Sequence, residues 1–242
     1  MKSSRVILSC LICIVIAGAA SAAWVPLTDP VPLSSLPGGS LIVGNGEFSE
    51  LEFSGFDLNV IIVDGGALLP DPDLMSVQGV QDVATGDYGL KFNGFSWSVG
   101  SGQTVTVDLS FKVSILPNND DYSIKDVRLY LTGAGATGTG LVSAGEEVWD
   151  AFPPGPGGTA VASLSVSKQE GDNGAYLADY AEFAPLKEIW IQSKHISVTG
   201  GIDGTAHFSE FFQFYSQVPE PATLVLFGTA GAWILTRRKR SA

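Results

Sequence analysis

Residues Thr104 to Ile115 alternate without a break. Val105, Val107, Leu109, Phe111, Val113 and Ile115 are apolar, and Thr104, Thr106, Asp108, Ser110, Lys112 and Ser114 between them are polar. A side-chain period of two belongs to a β-strand, and a polar second face means that one side is in a core and the other in water, the habit of antiparallel sheets. Shorter runs of the same kind are Val127-Leu129-Leu131, Ala162-Leu164-Val166 and Ala206-Phe208. Phe48, Leu51, Phe53 and Phe56 open a longer segment that closes in the β-branched run Val60-Ile61-Ile62-Val63. Ile189-Trp190-Ile191 and Ile196-Ser197-Val198 read as two arms of a late hairpin, followed by the aromatic strand Phe211-Phe212-Gln213-Phe214-Tyr215. Turn-forming clusters separate these runs: Gly65-Gly66, Pro70-Asp71-Pro72, Pro117-Asn118-Asn119-Asp120-Asp121 and Gly200-Gly201. Gly133 to Gly140 and Pro153 to Gly158 are long enough to be loops. No apolar period of 3.6 is sustained between Ala23 and Gln217. The expected fold is therefore all-β: a single antiparallel β-sandwich or jelly-roll domain over residues 23–217, built from about nine or ten strands.

Both ends of the chain differ from this body. Lys2 and Arg5 precede the apolar stretch Val6 to Ile16, and Ala20-Ser21-Ala22 supplies small residues. These are the parts of a signal peptide, residues 1–22, folded as a helix and cut by signal peptidase after Ala22. The two cysteines, Cys10 and Cys13, lie inside it. The exported domain must then hold together outside the cytoplasm without a disulfide. At the other end, residues 218–242 run Val218-Pro219-Glu220-Pro221, then fifteen uncharged residues from Ala222 to Thr236, then Arg237-Arg238-Lys239-Arg240. The prolines disfavour helix just before the apolar run. Fifteen helical residues cover roughly 22 Å, short of the ~30 Å hydrocarbon core. Gly228 and Gly231 weaken such a helix by roughly 1 kcal/mol each. Snorkelling by Arg237 and local thinning of the bilayer make up the difference. The expectation is a marginal transmembrane helix over 222–236, stopped on the cytoplasmic side by the basic cluster, which suits a segment held briefly and then cut.

This three-part tail resembles the PEP-CTERM sorting signal of Gram-negative bacteria. The resemblance implies an exported protein held for a time in the inner membrane, an exosortase-like membrane protease that recognises Pro219-Glu220-Pro221, and delivery to the outer membrane, cell surface or extracellular matrix of bacteria that make exopolysaccharide. A domain that stays anchored and keeps Arg237 to Arg240 is the alternative. The body is similar to exported PEP-CTERM proteins as well. Ser40-Leu41-Ile42-Val43-Gly44-Asn45-Gly46-Glu47-Phe48 is similar to their Val-Gly-Asp-Lys-x-Phe opening, with Asn45-Gly46 in place of Asp-Lys. Gly89-Leu90-Lys91-Phe92-Asn93-Gly94 resembles their Gly-Leu-x-Phe-x-Gly segment, and Lys194 to Gly204 their late Lys-x-Ile-x-Val-x-Gly-Gly-x-x-Gly segment. The resemblance implies a β-rich surface or matrix protein and carries no activity with it.

Charge narrows the partners. Setting aside the two basic residues of the leader and the four of the tail cluster leaves seven basic residues against 25 acids, a balance of −18. No basic stripe offsets phosphate charge, so nucleic acid is not an expected partner. Only His195 and His207 are available as imidazole ligands, twelve positions apart and with no cysteine beside them, so no metal site and no cofactor are expected. Asn118-Asn119-Asp120-Asp121 offers oxygen ligands but lacks the spaced pattern of a calcium loop. No Gly-x-Ser-x-Gly elbow is present. Glu146-Glu147 before Trp149-Asp150 is the one suggestive pair of carboxylates for sugar chemistry. A non-enzymatic domain is expected, with an exopolysaccharide-binding role as the alternative. Trp149, beside a Pro/Gly loop, is the candidate sugar contact; Trp97 and Trp190 are expected in the core. Phe211 and Phe212 cannot both face inward from one strand.

Overall fold

The structure, a computed structural model, describes residues 24–46, 50–117, 121–152, 158–172 and 177–220. The expected leader with Ala20 and Ala22, Asn118 to Asp120, most of the Pro153 to Gly158 loop, and the tail from Pro221 through the 222–236 segment to Arg237-Arg238-Lys239-Arg240 lie outside the described residues.

The described chain runs through β1 (Trp24–Pro26), β2 (Val31–Pro32), a 3-10 turn (Leu33–Ser35), β3 (Ser40–Val43), β4 (Leu51–Asp64), β5 (Ser76–Asp82), β6 (Tyr88–Val99), β7 (Thr104–Ile115), β8 (Tyr122–Thr132), β9 (Gly135–Thr137), β10 (Leu141–Trp149), β11 (Ala160–Gln169), β12 (Leu177–Leu186), β13 (Glu188–Thr199) and β14 (Thr205–Pro219). Ten of these strands have seven or more residues, which meets the number expected from the alternating runs. Among the described residues there is no α-helix, and no helix is long and apolar enough to cross a membrane.

Two antiparallel sheets form. The first has the order β1-β5-β6-β14-β8-β12, with β2 beside β5 and β9 beside β14; the second has the order β11-β10-β13-β7-β4-β3. The order follows from nested pairs. The hairpin β10/β11 is innermost, then β8/β12, then β7/β13, and β6/β14 is outermost. Successive pairs fall alternately in the second and the first sheet, which is the connectivity of a jelly roll. As a result β13 and β14, consecutive in sequence, stand in opposite sheets and face each other across the core.

The inward face of β7 is the middle of that core. Val105, Val107, Leu109, Phe111, Val113 and Ile115 are all buried, as the alternation of the segment requires. Phe111 packs 5.3 Å from Phe56, 5.9 Å from Phe92 and 6.4 Å from Phe53, ring centroid to centroid. Phe53 in turn lies 5.6 Å from Tyr215, so rings from β4, β6, β7 and β14 tie the two sheets together. Trp97 is buried, 6.1 Å from Phe208. Phe211 faces this core, while Phe212 points to the opposite side of its sheet and forms a second small cluster with Val80 and Phe214. Trp24, the first described residue, covers Phe212 at 5.2 Å, and Lys91 lies 4.4 Å above the Trp24 ring.

The expected hairpin between Ile191 and Ile196 is not one. Glu188 to Thr199 is a single strand, interrupted by a bulge where its register against β7 and β10 shifts. One extra residue inverts the parity of everything after it. Ile189 and Ile191 point inward before the bulge; Lys194, Ile196 and Val198 point inward after it. A bulge also interrupts β6, where Gly94 takes a φ of 83° and a Cβ would stand 2.0 Å from the Leu74 carbonyl oxygen. Only glycine fits there.

The described residues contain no cysteine. The mature protein, if it loses residues 1–22 as expected, should melt at the same temperature with and without a thiol reductant, measured by circular dichroism; a shift of more than a degree or two on reduction would show that Cys10 or Cys13 remains in the folded protein.

Candidate functional site

Two places collect the residues singled out in the sequence. The first is the junction between the body and the tail. Strand β14 does not stop at Gln217: Gln217, Val218 and Pro219 pair with Ile124, Ser123 and Tyr122 of β8. Pro219 has no amide hydrogen to give, and the strand ends with it. The next amide, that of Glu220, donates to the Asp121 carbonyl at 2.6 Å. The Glu220 carboxylate meets Lys187 Nζ at 2.7 Å and accepts a longer bond from Ser123 Oγ at 3.5 Å. Lys187 holds the Glu220 carboxyl below the ordinary carboxylate range, first through the hydrogen bond and then through its charge. Glu220 is thus ionised at neutral pH. Its pairing is present above the ordinary carboxylate range and is lost as pH falls through the lowered value. The pair is exposed, so it adds little to stability. Three of the four sorting residues, Val218, Pro219 and Glu220, are therefore seated on the domain; Pro221 lies outside the described residues.

The second place is the outer face of the β11-β10-β13-β7-β4-β3 sheet. Trp149 ends β10 and stands directly opposite Trp190 of β13, and both point outward. Trp190 is in turn opposite Lys112 of β7, which is opposite Ser54 of β4, so four strands contribute one row. Lys112 Nζ lies 5.9 Å from the Trp190 ring centroid and 3.8 Å from the Glu188 carboxylate. Trp149 Nε1–H donates to Glu147 at 3.2 Å. Phe152, 56% exposed, meets Trp190 edge-on at 4.7 Å. Gly55, with a φ of 64° at a bulge in β4, leaves bare backbone beside Trp190: a Cβ there would be 3.7 Å from the ring.

Trp190 is not in the core, where its size and apolarity would put it. It alternates with inward Ile189 and Ile191, which sends it to the outer face, half-buried by its neighbours.

The next rows of this face are polar. His195 Nδ1 and Asp108 Oδ1 are 2.8 Å apart, Thr106 and Ser197 share a hydrogen bond of 3.0 Å, and Thr104 donates to Thr199 at 3.0 Å. The whole is a sheet surface with two indoles at one end, carried by neighbouring strands about 4.8 Å apart, and hydroxyl, carboxylate and imidazole groups beyond.

Other candidates do not converge. Glu146 and Glu147 are neighbours on a strand and so lie on opposite faces: Glu146 is buried between the sheets and Glu147 is exposed beside Trp149. They cannot flank one substrate. His207 is exposed on β14, far along the chain's other sheet from His195. Among the described residues no group of three His, Cys, Asp or Glu could hold a metal. Two pockets near the β4–β5 connection and the 3-10 turn have volumes of about 240 and 220 Å³, below the usual range of small-molecule sites.

Comparison with known proteins bears on the tail. Residues 217–240 match the PEP-CTERM protein-sorting motif, so the chain carries a PEP-CTERM sorting signal, as the resemblance of its tail implies. The signal supports export and cell-surface sorting through an exosortase membrane protein. No curated protein is similar to the chain. Among solved structures it is similar to the enzymatically active domain of tailspike protein 4 of bacteriophage CBA120, with 14% identity and a TM-score of 0.29, over 66% of this chain and 19% of that one. The chain thus spans about a fifth of that protein, and a likeness of this size carries no argument about activity.

Proposed function

We propose that this is a non-enzymatic surface or extracellular-matrix protein, released from the inner membrane by an exosortase-like protease, whose domain binds exopolysaccharide along the Trp149–Trp190 row. The placement of Trp149 directly opposite Trp190 on an outer sheet face carries the reading. Aromatic faces stack on the apolar faces of sugar rings, and two indoles on one sheet face suit neighbouring rings of a polymer. Glu147, Glu188, Lys112, Asp108 and His195 surround the row with groups that bond to hydroxyls in either direction. A domain with a balance of −18 repels polyanions, so the expected ligand is a neutral or amino-bearing polysaccharide.

The test is affinity electrophoresis of the processed protein in a gel containing neutral exopolysaccharide from the producing host. Retardation is expected for the native protein. Trp149→Ala and Trp190→Ala are each expected to weaken binding roughly tenfold, or about 1.4 kcal/mol, with Trp24→Ala on the other sheet as the unaffected control. A double variant retarded as strongly as the native protein would overturn the site.

A further inference from the structure

The interior between the sheets holds three polar side chains that the outer surface does not need. Lys194 on β13, Glu146 on β10 and Gln213 on β14 are all fully buried. Lys194 Nζ contacts Glu146 Oε2 and donates to Gln213 Oε1 at 2.6 Å. Gln213 Nε2–H donates to Glu146 Oε1 at 2.7 Å. The orientation of the amide is fixed by its partners. Turned over, it would set an NH2 against the lysine and an oxygen against the carboxylate.

The bulge in β13 is what brings the lysine here, since it turns Lys194 inward where the preceding parity would have turned it out. Phe211 lies 4.9 Å from Nζ, and Tyr215 is buried beside the group with a hydroxyl that makes no hydrogen bond. Burial first, then the charge of Glu146, holds the Tyr215 phenol well above its ordinary range, so it keeps its proton.

A buried ion pair offers little stability, because desolvation offsets its attraction. The arrangement has a chemical use instead. We propose that Lys194 and Gln213 join in an intramolecular isopeptide bond, with Glu146 as the catalytic residue that carries the proton between them.

The amine nitrogen of Lys194 attacks Cδ of Gln213, the atom next to the Oε1 it already touches. A bond forms between Nζ and Cδ, and the carbonyl electron pair moves onto Oε1. Glu146 takes the proton that Nζ loses at one carboxylate oxygen and returns it to Nε2 at the other. The Cδ–Nε2 bond then breaks, the carbonyl re-forms, and Nε2 leaves as ammonia. Atoms and charges balance with no oxidant and no added cofactor.

Three features favour the step. Burial lowers the proton affinity of Lys194, against the raising influence of Glu146, and favours the uncharged nucleophile. The reacting groups are held at contact distance by three strands, and such positioning is worth effective concentrations on the order of 10⁵–10⁸ M. The three side chains are closed off from bulk solvent, which protects the new amide from hydrolysis.

The bond would tie β13 in one sheet to β14 in the other. Strand β14 leads directly into the sorting tail. A domain without disulfides would thus have its last strand covalently clamped to the rest, in the role that a disulfide has in other secreted domains.

The test is peptide mapping of the protein from its native host with a protease that cuts after glutamate. Cuts after Glu188, Glu210 and any later glutamate release residues 189–210 and the segment starting at Phe211 as separate peptides if no bond exists. The expected result is one branched species containing both, lighter than their sum by one ammonia. Recovery of the two peptides at their sequence masses overturns the proposal, and this reading needs no variant to fold. Glu146→Gln, of nearly the same shape, is expected to give folded but unlinked protein by the same map. Full linkage in that variant would overturn the assignment of Glu146.

Discussion

Glu220→Ala is expected to leave nearly all of the protein in the inner-membrane fraction, still carrying its basic tail. The reason is recognition and not folding. Glu220 makes its contacts at the surface, to Lys187 Nζ at 2.7 Å and to the Asp121 carbonyl through its own amide. The backbone bond survives the substitution, and an exposed ion pair contributes between nothing and about 1 kcal/mol. The domain should therefore fold as before, with an unchanged melting temperature, while the sorting signal loses its central acid. Lys187→Ala removes the same ion pair and leaves the motif intact, so its release should be normal. Normal release of Glu220→Ala, scored by immunoblot of membrane and extracellular fractions, would sink the reading. Equal retention of both variants would mean that the ion pair, and not the motif, is what matters.

Phe111→Ala is expected to destabilise the domain by about 3–5 kcal/mol, the usual range for emptying a buried aromatic site. The ring has no exposed surface and is met by Phe53 and Phe56 from β4 beside it and by Phe92 from β6 in the facing sheet. Sheet interiors cannot collapse onto the gap without bending strands that are paired on both sides, and β7 is paired to both β4 and β13. For a domain of this size the melting temperature should fall on the order of 10 °C. Ser110→Ala, one residue away on the outer face, should change stability by no more than about 0.5 kcal/mol. A Phe111→Ala protein that melts within a degree or two of the native one would mean that the sheets do not pack as described.

Where the chain was readable and where it was not follows from the period of its strands. An unbroken alternation such as Thr104 to Ile115 states both the strand and its inward face, and Val127-Leu129-Leu131 and Ala206-Phe208 do the same on a smaller scale. Phe211 and Phe212 go to opposite faces of one strand because adjacent residues must. What alternation cannot announce is a bulge. The extra residue in β13 looks like the gap between two arms of a hairpin, and it hides the inversion that buries Lys194. Trp190 fails for a related reason: size and apolarity suggest the core, whereas its position between two inward isoleucines decides the outer face. Short strands of two to four residues, β1, β2, β3 and β9, are set by the longer strands they pair with and have no pattern of their own.

The candidate sites divide in the same way. The sorting residues and Trp149 announce themselves locally, through a tetrapeptide and a Pro/Gly neighbourhood. The partners of Trp149 do not, because they come from β7 and β13, which the roll of the jelly-roll ladder brings alongside. The Lys194–Glu146–Gln213 group is the extreme case, three residues from three strands and two sheets that meet only when the ladder closes. Glu146 is legible only as half of an acidic pair, and its neighbour Glu147 points the other way. A lysine and a glutamine at inward positions of otherwise apolar strands were the available signal.

Export, cleavage at the tail and release to the surface, as proposed, together set the mass and the location of the mature protein. Intact mass of the protein from its native host, measured separately for membrane and extracellular fractions, reads both. The account predicts a mass lacking both the leader and Arg237 to Arg240, recovered outside the inner membrane. A protein that keeps the basic cluster and is found only in the membrane fraction would contradict it.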